Sequence, residues 1–175
     1  MKKIIITISV VVLFVSSLSS QNKIFIGDKS YPCSETFTFT YPDFFGKQDL
    51  DIMFIKDKDV GMIALTIKAH WKEDRIKGKI LIYLDNETVI TCLDRNKYDY
   101  VNGMATTIYY LTKEEINKMK NSNITAIRFS TDTENFEASN LITEEGWIQQ
   151  GGRLIPQKKY KETNVSDIVN EFFNN

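Results

Sequence analysis

The chain has 175 residues, with 22 Lys and Arg against 23 Asp and Glu and a formal net charge of −1. A nucleic-acid surface needs a concentrated basic face; the one basic cluster, Arg153, Lys158, Lys159 and Lys161, is short and interrupted by Pro156, so nucleic acid is not an expected partner. A single histidine and two cysteines fall short of the ligand set that a zinc site draws on, and neither a metal nor another cofactor is expected.

Residues 1–20 read as a secretory signal. Lys2 and Lys3 precede an apolar run from Ile4 to Val15, and small polar residues follow it. The run is shorter than the roughly 20 residues that span a bilayer, so cleavage after Ser19 or Ser20 leaves no stable membrane span. The remaining chain, residues 21–175, is one domain's worth, with enough length for a real core. Its expected location is the periplasm or the exterior. In an exported protein the pair Cys33 and Cys92 is a candidate disulfide; the alternative is two buried free thiols, since free cysteine is among the most buried residue types.

The mature chain reads mostly as strands. Lys23 to Gly27 is a short first strand. Thr36 to Tyr41 alternates cleanly, with Phe37, Phe39 and Tyr41 on one face and threonines on the other. "DLDIMFI" and "VGMIALTIKAHW" flank Lys56 to Asp59 as a hairpin. The acidic run from Asp57 to Gly61 lacks the further carboxylates of a calcium loop and reads as its turn. Alternation puts Ile63, Leu65, Ile67, Ala69 and Trp71 on one face and Thr66, Lys68 and His70 on the other, so His70 is expected as an exposed side chain. "KILIYL" and "TVITCL" form a second hairpin around Asp85, Asn86 and Glu87.

Asp94 to Gly103 then reads as the longest loop. It carries Tyr98, Asp99 and Tyr100, the candidate ligand-binding residues. Function favours loops on rigid scaffolds, and tyrosines beside a polar group suit contact with sugar or protein. The competing reading is a loop that packs its own tyrosines back on the sheet.

"MATTIYYL" is a strand leading into a helix at Thr112. Thr112 and Glu115 have capping-box spacing, Leu111 and Ile116 hydrophobic-staple spacing. Glu114 and Glu115 sit where the helix dipole favours negative charge, and Lys118 and Lys120 where it favours positive charge. Those positions account for the paired glutamates structurally, and no catalytic residue is assigned. "ITAIRFST" alternates as a strand, "NFEAS" is another, and Trp147 to Ile155, broken at Gly151-Gly152, reads as a late hairpin. "NVSDIVNEFFNN" spaces Val165, Ile168, Val169, Phe172 and Phe173 at helical period, with Asn164 as the expected cap.

The run "KGKILIYLDNETVITCLDR", the stretch "DYVNGMATTIYYLT", then "KEEINKMKNSNITAIRFS" and "FEASN" together resemble a group of small exported bacterial β-rich proteins of uncharacterised function. The shared features are a hairpin, an Asp-Arg loop, a strand, and a Leu-Thr-x-Glu-Glu helix leading into an Ile-x-x-Ile-Arg-Phe strand, over roughly residues 75–140. The resemblance implies export and a β-rich fold, and no activity.

The expected architecture is mainly β (α+β): an antiparallel β-sandwich with one short helix between late strands and a C-terminal helix. The expected function is a non-enzymatic exported protein that binds a protein or envelope component or has a structural role. A glycan-binding module using surface aromatics is the alternative, and a small hydrolase ranks third.

Overall fold

A computed structural model of the protein describes residues 22–44, 46–58, 60–70, 74–150 and 153–174. The expected signal, Trp71 and the Gly151-Gly152 turn lie outside the described residues. The chain order is β1 (Asn22–Ile26), β2 (Lys29–Cys33), β3 (Phe37–Asp43), β4 (Gly46–Asp57), β5 (Val60–Lys68), β6 (Lys77–Leu84), β7 (Val89–Cys92), β8 (Tyr98–Val101), β9 (Met104–Leu111), α1 (Lys113–Asn121), β10 (Ile124–Ser130), β11 (Asn135–Ser139), β12 (Leu141–Gln150), β13 (Arg153–Glu162) and α2 (Val165–Asn174). The fold is mainly β, antiparallel, with one helix between strands and one at the C-terminus.

The expected pair of facing sheets is instead one curled sheet. Its eleven strands run β7-β6-β10-β11-β3-β4-β5-β9-β8, with the β1–β2 hairpin joining at β4 through Cys33 opposite Ile55. Period-2 alternation makes the curl bury one face of each strand. Phe37, Phe39 and Tyr41 from β3 meet Leu50, Ile52 and Phe54 from β4 and Ile63, Leu65 and Ile67 from β5 in a single interior cluster. Residues from β6, β7, β9 and β10 complete it. Where β6 comes past β9, hydroxyls bridge the two strands: Thr107 donates to the Ile76 carbonyl (3.0 Å) and Tyr109 to the Gly78 carbonyl (3.1 Å).

The helices close the end of the curl at the β4–β5 turn. α1 forms as expected, with both capping-box bonds present between Thr112 and Glu115. Ile116 and Met119 of α1 and Val165 and Val169 of α2 are buried in the interior cluster. Gly61 allows this close fit, since a Cβ there would stand 2.6 Å from Ile116 Cδ1 and 3.1 Å from the Phe173 ring. Phe173 in turn packs on Phe54, ring centroids 5.9 Å apart. Asn164 stands directly before α2, as expected of a cap, and among the described residues its side chain makes side-chain bonds only. Its side chain bonds Asp167 and Ser166, while the Val165 N–H donates to Asn123 Oδ1 at 2.8 Å.

A second cluster lies on the outer face of the sheet. The β1–β2 hairpin folds Ile24, Ile26 and Tyr31 over Ile55, Met62, Ala64 and Ile108, with Cys33 among them. Cys92 faces the interior cluster. Both cysteines are buried free thiols. Burial pushes the Cys33 thiol up and takes Cys92, with a smaller contribution from the Glu115 charge, to about 12, which suppresses the reactive thiolate.

Among the described strands, β12 and β13 pair only with each other, in unbroken register from Leu141 opposite Glu162 to Gln150 opposite Arg153. This late hairpin is longer than its sequence signal. Asn140 clamps its foot. The buried Asn140 amide donates to the carbonyls of Ile124 (2.8 Å) and Thr163 (2.7 Å) and its oxygen accepts from the Thr163 N–H (2.9 Å). Asn123 adds bonds to Glu162 and to the Thr163 carbonyl.

Two stability effects follow. Asn140→Ala strands buried backbone groups at the hairpin foot and should cost about 2–4 kcal/mol, read as a lower urea midpoint; an unchanged midpoint would show the clamp to be dispensable. Phe173→Ala should cost about 2–3 kcal/mol, less than a fully buried phenylalanine because the ring is partly exposed. If that midpoint does not move, α2 does not contribute to the core.

Candidate functional site

Tyr98, Asp99 and Tyr100 do not lie in a loop. They form β8, a four-residue edge strand joined to β9 by a tight turn in which Asn102 (φ 53°) and Gly103 (φ 80°) both adopt the left-handed conformation that such two-residue hairpins require. The register sets Tyr98 opposite Thr107 and Tyr100 opposite Ala105, residues of the sheet's inner face, and Asp99 opposite Thr106. The two tyrosines therefore share one side and Asp99 takes the other. Neither ring is packed away: Tyr98 is 57% and Tyr100 46% exposed, because among the described strands β8 pairs with β9 alone.

The Tyr98 ring has a fixed cation behind it. The Arg75 guanidinium carbon lies 4.1 Å from the ring centroid. Arg75 is itself held by the Ile76 carbonyl (2.9 Å), Asp94 (3.2 Å) and Asn96 (3.0 Å). Asp94 also accepts from the Asn96 N–H at 2.7 Å, so the segment before β8 is tied to the start of β6. Such a guanidinium supports one face of the ring electrostatically and costs little ordering, since Arg75 is already immobilised. The sequence singles out the tyrosines as candidates but not Arg75, whose partners are 19 and 21 residues away.

The open end of the curl, opposite the helices, holds a cavity of about 260 Å³. β3 and the turn after it contribute Tyr41, Asp43 and Phe44, the end of β5 contributes Ile67 and Lys68, and the β10–β11 turn contributes Thr131, Thr133 and Glu134, with Phe136 following. His70 belongs here and is not an exposed residue of the sheet's polar face. β5 ends at Lys68, so strand alternation no longer sets its direction. His70 Nε2 lies 3.2 Å from Asp43 Oδ2, with the histidine side chain 22% and the carboxylate 7% exposed.

Asp74 completes the wall. One of its carboxylate oxygens is buried without a hydrogen-bond partner among the described residues. Its carboxyl is raised above the ordinary range by desolvation first; the His70 charge opposes that shift, Asp132 adds to it, and a backbone hydrogen bond from His70 and the Lys77 charge oppose it. Tyr41 is pushed up to about 12, chiefly by burial and then by Asp43, Asp74 and Asp49. Among the described residues, no group of His, Cys, Asp and Glu is arranged to hold a metal ion. No segment of the sequence marks this cavity, because its polar groups come from separate turns that only the curl brings together.

No protein-family model, curated protein or solved structure matches the chain.

The raised Asp74 carboxyl has a pH signature. An unfolded aspartate ionises near pH 3.9, below the folded group, so the unfolded state binds fewer protons from that pH upward and ionisation favours unfolding. Asp74→Asn removes this penalty. Its melting temperature should exceed that of the parent at pH 7, and the gap should close as the pH falls toward about 4. A variant destabilised equally at both pH values would show that Asp74 acts through structure and not through its charge.

Proposed function

We propose that the protein is an exported, non-catalytic binding module that holds a carbohydrate against the Tyr98–Tyr100 edge. The observation that carries the reading is the pair of exposed rings on one side of β8, one of them backed by an immobilised guanidinium. Rings of this kind offer a broad apolar face and a hydroxyl at little entropic cost, which suits the flat face and rim hydroxyls of a sugar. The lysine-led, apolar N-terminal segment supports export.

An exposed strand edge also invites a partner's backbone, and the geometry of β8 disfavours that mode. The strand has four residues, and the Tyr100 N–H is already taken by Asp99 Oδ1 at 2.8 Å. Short edges with charged residues resist strand addition. Recognition through the tyrosine side chains fits better than recognition through the main chain.

The double variant Tyr98→Ala, Tyr100→Ala tests the reading on a glycan array and by thermal denaturation. Exposed positions of this kind shift stability by about 0.5 kcal/mol or less each, so the melting curve should barely move while glycan binding falls at least about tenfold. A parent protein that binds no glycan, combined with a clear loss of stability in the variant, would sink the proposal and favour a scaffold for a protein or envelope partner.

A further inference from the structure

A second cavity, of about 390 Å³, lies at the foot of the β12–β13 hairpin and shares no residue with the tyrosine edge. The β6–β7 turn contributes Asp85, the end of α1 contributes Asn121 and Ser122, and the end of β13 contributes Glu162. Among the described residues its lining is carboxylate, amide and hydroxyl, with no lysine, arginine or aromatic. Ser122 is the C-cap of α1 and only 7% exposed. Its hydroxyl bonds no described residue and is not sealed off, so it opens on the cavity that it lines. Two neighbours also have an oxygen to spare. Asn121 turns its amide nitrogen to the Asn117 carbonyl (2.7 Å), which leaves Oδ1 without a described partner. Glu162 accepts from the Asn123 amide on Oε1 (2.9 Å), which leaves Oε2.

We propose that this cavity binds a calcium ion. The wall is negative, and no side chain within it answers that charge. The lysines in the last turn of α1 are engaged elsewhere, Lys118 with Glu114 and Lys120 with Asn174. The negative end of the α1 dipole adds to the field, while the positive end of α2 is met by Asp167 in that helix's own first turn. Calcium takes about six to eight oxygen ligands in a flexible arrangement and mixes carboxylates with neutral oxygens and water. Asp85 and Glu162 supply the charge, Asn121 and Ser122 supply neutral oxygens, and water completes the shell. Such a set contains two carboxylates, so it lies outside any group of three or more His, Cys, Asp and Glu. Zinc calls for nitrogen or sulfur ligands. Magnesium demands near-ideal octahedral geometry, which side chains from three separate elements are poorly placed to impose. Bound there, calcium ties the hairpin foot to the β6–β7 turn and to α1.

The probe is CaCl2, titrated into the protein and followed by calorimetry, amide chemical shifts and thermal denaturation, with MgCl2 and NaCl at matched ionic strength as counterparts. Calcium should bind saturably with a Kd of about 10⁻⁴–10⁻³ M, the range of extracellular modules, and shift the amides of residues 85, 121–123 and 162–166. The melting temperature should rise with occupancy. Magnesium should bind at least about tenfold more weakly, and sodium should not reproduce the effect. Asp85→Asn and Glu162→Gln, both at exposed positions and both keeping the shape of the side chain, should each weaken calcium about tenfold, and Ser122→Ala should weaken it less. No saturable binding up to about 10 mM CaCl2, an equal response to magnesium, or binding unchanged in both carboxylate variants would each overturn the proposal. The comparison of the three salts on the parent protein decides it even if a variant fails to fold.

Discussion

Two hydroxyls hold the curl together where strand pairing gives out. β6 and β9 are not hydrogen-bonded neighbours in the sheet, yet Thr107 and Tyr109 reach across to the carbonyls of Ile76 and Gly78. A closed barrel would use backbone pairs here and leave no edge. Side-chain bridging instead brings the two strands together while β7 and β8 keep a free edge. The enclosed interior, the end covered by α1 and α2 and the end that remains a cavity all depend on this junction. Tyr109 lies deep in the interior, and its phenol is shifted upward chiefly by burial, so it stays a neutral donor throughout the ordinary pH range.

The same junction organises the tyrosine edge. Arg75 precedes Ile76, and the loop that follows β7 supplies Asp94 and Asn96 to its guanidinium. The closure of the sheet therefore places a cation behind Tyr98 as a by-product. At the other end, the β10–β11 turn and the bend at His70 are brought beside β3, and carboxylates that are far apart in sequence come to share one cavity. Both candidate sites are consequences of curvature and not of any one segment.

What was legible in the sequence was local. The capping box and staple of α1 operate within a few residues, so their pattern identifies the helix and its first residue. The alternation of Phe37, Phe39 and Tyr41 marks a half-buried strand wherever it pairs. The misreadings have non-local causes. β8 is polar, short and exposed on both faces, so it lacks the apolar alternation by which strands are recognised, and only its pairing with β9 makes it a strand. The first N–H of α2 is shared between the adjacent Thr163 carbonyl and Asn123, 42 residues upstream, and the second partner is not revealed by the Asn164 neighbourhood. His70 follows the β5 pattern in sequence but lies beyond the end of the strand. Two sheets facing one another and one sheet curled on itself give the same periodicity in each strand, so the sandwich and the curl differ only in how distant edges meet. The tyrosines stand out in the sequence because aromatics beside polar residues are conspicuous by type; the cavity does not, because Tyr41 reads as ordinary core.

The two cysteines carry a consequence for how the chain reaches this state. Cys33 lies under the outer hairpin and Cys92 faces the interior, so the sheet itself stands between the sulfurs. A bond between them requires converging Cβ vectors, and in the folded chain both are free thiols in separate clusters. In an oxidising medium such a crosslink forms only in chains that have not yet assembled the sheet, and it then excludes the native fold. In such a medium, burial of the thiols competes with their oxidation. The outer hairpin, which shields Cys33, is the first segment of the described chain to emerge during synthesis, whereas Cys92 is shielded only when the interior closes around β7.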